Sequence, residues 1–242
     1  MRIFIVVTSL LLFYWNAMAD NTGANLDAQG RQILIDPKKP TNFFNTVGLF
    51  HGEEGYVLEL DGTFPLAAGT GAGFLEALDA IPKDTNFTVV LNSGGGSILL
   101  AENYFRKEMI KKCRRRVKTR KRTKFIKTCR IKTLVKAHSE CSSACLAIFL
   151  AGDDRFLDEN AKLGFHTAQT PFSNSWPRKM ARHLRKWGAD SDWTIRQRRL
   201  GTFDDVEMTY FNGFDLLSQN SGIVTKVIEK PIEDLYEENS QP

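Results

Sequence analysis

Residues 140–152 read ECSSACLAIFLAG: two serines between two cysteines, then an apolar run closed by Gly152. Small residues at the mouth of a buried segment suit one of two purposes. They form a tight packing turn pinned by thiols, or they present a hydroxyl for chemistry at the start of a helix. What flanks the stretch decides between them.

Upstream, 87-FTVVLNSGGGS-97 runs from a β-branched strand straight into three glycines, a pattern for a strand end where backbone must approach something closely. Downstream, 161-AKLGFHT-167 reads as a second strand and carries His166. A hydroxyl nucleophile needs a base to accept its proton and N–H donors for the developing oxyanion. Histidine titrates near neutrality and suits the first task. Singly each piece has a bland reading: glycines make turns, Ser143 caps a helix, His166 is a satisfied core histidine.

Further out, strands and helices alternate. A strand is predicted over 56–62, a helix over 71–82 stopped by Pro82, and a helix over 98–112. A strand over 130–138, a helix over 143–151 and helical structure over 176–200 follow. Helix, turn and strand occupy 213–229. This is the pattern of an α/β domain. Residues 20–50 read as a loosely packed lead-in, and 231–242 as an acidic tail.

The chain opens MRIFIVVTSLLLFYWNAMAD. One early charge, an apolar core and the small-x-small triplet Ala17-Met18-Ala19 make a signal peptide over 1–19, cleaved near Ala19. Its apolar core is short of the roughly 20 residues that span a bilayer. The mature chain is therefore expected in the periplasm or outside the cell, without a transmembrane span. All four cysteines, Cys113, Cys129, Cys141 and Cys145, fall within 33 residues. In an oxidising compartment they read as disulfides ahead of zinc, with three pairings open. No Walker A pattern occurs, so ATP use by this chain is not expected; no cofactor or metal is expected either.

Charge is concentrated. Residues 106–136 hold 16 of the 33 Lys/Arg and one of the 28 acids, leaving 17 basic and 27 acidic residues elsewhere. The middle of this insert, 114–124, reads as a solvated excursion. It is either a charged surface hairpin or a patch for an anionic surface or polymer. Phe125 is the one aromatic beside it suited to stacking on bases.

Taken in order, these pieces resemble the exported, ATPase-independent ClpP-like serine peptidases of the ClpP/crotonase fold. The matching segments are DGTF at 61–64, LNSGGGSILLAENYF at 91–105, CSSACLAIFLAGDDR at 141–155, AKLGFHT at 161–167 and GIVTKVI at 222–228. The resemblance implies a single domain over 51–230, built as a repeated β-β-α spiral interrupted by the basic insert. It also implies a peptide or protein substrate and assembly into a homo-oligomer. It makes Ser143 the nucleophile, His166 the base, and the N–H groups of Gly95 and Ala144 the oxyanion hole. Ser142, one residue earlier, reads as a helix cap. Gly94-Gly95-Gly96 departs from the family's Pro-Gly-Gly. For the third residue Asp205 is the candidate, with Asp204 and Asp215 as neighbours, although aligning the tail brings Met208 nearest that place. Two rivals stand beside the peptidase: an esterase on the same site, and an inactive binding protein that presents the basic loop. An acyl-CoA enzyme of the crotonase branch does not suit an export signal.

Overall fold

Five of the six residues of 87-FTVVLN-92 are buried, and a strand apolar on both faces belongs inside a parallel sheet. The computed structural model, which describes residues 25–36, 46–64, 72–118, 122–166, 176–205 and 207–229, places it there. The expected signal peptide, 1–19, and the acidic tail, 231–242, lie outside the described residues.

The strands are β1 Gln32–Ile35, β2 Thr46–Gly52, β3 Gly55–Asp61, β4 Phe87–Asn92, β5 Arg114–Lys118, β6 Thr123–Lys127, β7 Ile131–Val135, β8 Glu140–Ser142, β9 Asp154–Asp158, β10 Lys162–Phe165, β11 Thr209–Phe211 and β12 Lys226–Ile228. The helices are α1 Ala72–Ala80, α2 Ile98–Leu100, α3 Lys107–Lys112, α4 Cys145–Phe149, α5 Trp176–Trp187, α6 Ser191–Arg199 and α7 Gly213–Ser218. A π-helical stretch, Ala101–Arg106, joins α2 to α3.

A seven-stranded sheet runs β1-β2-β3-β4-β7-β9-β12, and a second sheet runs β11-β10-β8. Strands β3, β4, β7, β9 and β12 are mutually parallel. Strands β8 and β10 pair in parallel too, with Ser142 opposite Gly164. Single bridges, Phe64 to Gly96 and Ser93 to Cys141, extend the second sheet beyond β8. Each unit thus sends one strand to the large sheet, a short extended stretch to the second sheet, and then a helix. β3–Phe64–α1, β4–Ser93–α2, β7–β8–α4 and β9–β10–α5 are successive turns of this β-β-α spiral. Phe74 meets Phe105 edge-on at 4.5 Å between centroids in the core, and Phe165 meets Trp193 at 5.8 Å. No helix among the described residues is long and apolar enough to cross a membrane.

Two readings change. The lead-in is not loose: β1 and β2 edge the large sheet, with Val47, Leu49 and Phe50 buried. The helical stretch 176–200 divides at Gly188, whose φ is +116°. Asp190 then caps the next helix, accepting from Trp193 N–H at 2.7 Å. The basic excursion is the surface hairpin that one of its two readings expects, an antiparallel arm of β5 on β6 from Arg114 opposite Lys127 to Lys118 opposite Thr123. Cys113 and Cys129 are bonded at its foot.

Candidate active site

Ser143 stands between β8 and α4 with φ +55°. A left-handed conformation costs a non-glycine residue roughly 1–2 kcal/mol, and surrounding structure must hold it there. Ser143 N–H donates to Gly164 O at 2.9 Å, and Leu146 N–H donates to Ser143 O at 3.2 Å. The buried Cys141–Cys145 disulfide spans the turn, with its Cα atoms 5.3 Å apart. The serine is therefore fixed from three sides.

Strand pairing then brings His166 alongside. Ser142 opposite Gly164 sets the register, and His166 follows β10 directly. Its Nε2 lies 2.7 Å from Ser143 Oγ, within range for direct proton transfer. With Nε2 unprotonated, the imidazole accepts the serine proton.

Gly95 closes the far side at φ +106°. A Cβ there would lie 2.6 Å from Ser143 Cβ and 2.7 Å from Ser142 O, so glycine is required by proximity as well as by conformation. Its carbonyl accepts from Phe64 N–H at 2.7 Å. Its own N–H donates to Ser93 Oγ at 3.2 Å. No hydrogen bond from Ala144 N–H occurs among the described residues. Gly95 and Ala144 N are neighbours: the same Cβ position is 3.2 Å from Ala144 N.

Ser142 is not a helix cap. It is fully buried and donates to Glu140 Oε2 at 3.1 Å, an oxygen that also accepts from Tyr210 Oη–H at 2.9 Å. Burial and the Glu140 carboxylate raise the Tyr210 phenol above its ordinary range, with Ser142 opposing. This network ties β8, the strand before Ser143, to β11, and Glu140 and Tyr210 lie 70 residues apart in sequence.

Asp205 is exposed and accepts from Glu207 N–H at 3.1 Å; no bond from it to His166 occurs among the described residues. Asp204 and Asp215 are exposed as well. Phe165 pairs with Thr209, so one further step of that antiparallel register sets Met208 across from His166. A Cβ on Gly164 would meet Met208 Sδ at 2.8 Å, which places the thioether beside the strand that carries the histidine. His183 is half-buried, with Nδ1 3.0 Å from Glu102 Oε2.

No family model matches the chain, and no curated protein sequence matches it. Among solved structures it is similar to a ClpP1 mutant from Listeria monocytogenes, at 16% identity over 72% of this chain and 91% of that one, with a TM-score of 0.47. It is likewise similar to the ClpP protease catalytic domain from Plasmodium falciparum, at 16% identity over 72% and 84% of the two chains, with a TM-score of 0.49.

Proposed function

We propose that this chain is an exported serine hydrolase that cleaves peptide bonds. Ser143 Oγ attacks the scissile carbonyl while His166 Nε2 takes its proton and returns it to the leaving amine. The N–H groups of Ala144 and Gly95 receive the oxyanion, Gly95 exchanging its bond to Ser93 for one to the substrate. Water then attacks the acyl-enzyme with the same histidine as base. The observation that carries the reading is Ser143 Oγ at 2.7 Å from His166 Nε2 on a serine held at positive φ.

In the proposed site Ser143 and His166 carry the proton transfer, and Asp205, which accepts from Glu207 N–H, takes no part in it. Export, a disulfide-permissive compartment and assembly with further copies belong to the same proposal. Two disulfides support the compartment. The test is to offer matched peptide and ester substrates to the oxidised mature protein. Turnover of peptides, lost in Ser143→Ala, supports the peptidase. Turnover of esters alone would transfer the site to the esterase reading.

A further inference from the structure

The cationic arm takes no part in the chemistry proposed for Ser143, yet a cavity of about 250 Å³ lies at its foot, beside the Cys113–Cys129 bridge. Arg106, Arg114, Lys127 and Arg155 line it together with one acid, Asp153. That carboxylate is occupied: it pairs with Lys127 and accepts from Ile131 N–H at 3.0 Å. Arg155 donates to the carbonyls of Ile223, Gly152 and Gly222 at 2.7–2.9 Å, so it contributes a fixed positive charge rather than free donors. Arg106 and Arg114 form no ion pair among the described residues.

Two donors there stand out. Arg106 Nε and Trp187 Nε1 are buried with no acceptor among the described residues, and Trp187 is only 2% exposed. Both side chains line the cavity. Proteins seldom leave buried donors unpaired unless a water, ion or ligand completes them. Burial holds Arg106 below the ordinary arginine range and Arg114 adds to this, with Glu102 opposing. A neighbouring anion would relieve both effects. The arm continues the same charge outward: its pairing puts Arg114 and Arg116 on one face with Lys127 and the exposed Phe125.

We propose that this cavity binds a phosphate-class oxyanion, free or as the headgroup phosphate of an anionic lipid. Arg106 Nε–H and Trp187 Nε1–H donate to its oxygens, and Arg114, Lys127 and Arg155 supply the balancing charge. A compact, multiply charged acceptor matches a site that offers unpaired donors and an excess of guanidinium.

The test titrates inorganic phosphate into the oxidised, ¹⁵N-labelled mature protein, with ionic strength held by sodium chloride. The Trp187 indole N–H resonance, assigned by its loss in Trp187→Phe, should move saturably. Arg114→Gln, at an exposed position that leaves the core intact, should weaken the apparent affinity about tenfold, or roughly 1.4 kcal/mol. A second arm sediments the protein with vesicles of phosphatidic acid in phosphatidylcholine. Vesicle binding released by inorganic phosphate identifies a lipid phosphate. Saturable titration without vesicle binding identifies a free one, and either outcome supports the pocket. An indole resonance that stays put, follows chloride equally, or ignores Arg114→Gln overturns it. So does vesicle binding that phosphate cannot release. Ser143→Ala should titrate like wild type, so failure here is distinct from failure of the hydrolase reading.

Discussion

Gly95→Ala tests how tightly the proposed oxyanion loop and nucleophile turn are locked together. The new methyl would sit 2.6 Å from Ser143 Cβ, 2.7 Å from Ser142 O and 3.2 Å from Ala144 N. None of these is the far end of a flexible side chain, so the backbone itself must yield. Holding alanine near φ +106° costs about 1–3 kcal/mol. Overpacking adds about 1–3 kcal/mol. Together they remove about 2–6 kcal/mol from a total stability of roughly 5–15 kcal/mol. Any relaxation moves the Gly95 N–H and Ser143 apart, and loss of one oxyanion donor lowers the rate by about 10²–10³. Urea denaturation measures the first effect, and active-site labelling of the folded fraction measures the second. A variant with the wild-type midpoint and labelling rate would refute both the contact and the role assigned to this glycine.

Asp205→Asn should leave labelling of Ser143 within about twofold of wild type, because its carboxylate serves Glu207 N–H rather than His166; a loss beyond about tenfold would restore it as the third residue. Removing the Cys113–Cys129 bridge, 16 residues apart, should cost about 3 kcal/mol and the Cys141–Cys145 bridge, 4 apart, about 2 kcal/mol by loop-closure entropy; denaturation of the paired serine variants measures both. For Glu102, burial raises the pKa, but the Lys186 hydrogen bond and the charges of His183, Lys186 and Arg106 outweigh it, and the net shift is downward. Its stabilising contribution is therefore present above the unfolded value, near 4.5, and is lost as pH falls through the depressed folded value. Glu102→Gln should accordingly be less stable than wild type by about 1–3 kcal/mol at pH 7 and converge with it in acid, as thermal melts across pH would show.

How much was legible follows from the range of each signal. FTVVLN into GGG, the Ser-Ser-Ala turn and LGFHT are local patterns, and each lies where its own period and glycines put it. The pairing that joins Ser143 to His166 is local as well, since parallel β8 and β10 lie close in sequence. The edge strands were missed because QILI alternates over only four residues, half of them exposed. The hairpin was legible as a solvated excursion between two cysteines, but its strand limits were not, because lysine and arginine fill both faces of β5 and β6. That left Val117, Phe125 and Ile126 as the only apolar markers of its strands. Contacts between distant segments carried no sequence signal: Glu140 with Tyr210 and Met208 beside β10 depend on how the second sheet closes, and Glu102 with His183 on how two helical stretches pack. Cysteine spacing alone left three pairings, which the arm's foot and the Ser143 turn resolve.

The central claim is that Ser143 is an activated nucleophile. Fluorophosphonate labelling of the oxidised mature protein, with the adduct located by peptide mass spectrometry, tests it most directly. The account predicts a single adduct on Ser143, absent in Ser143→Ala and slowed at least about a hundredfold in His166→Ala. Folded wild-type protein that takes no label, or that labels equally without His166, would contradict it.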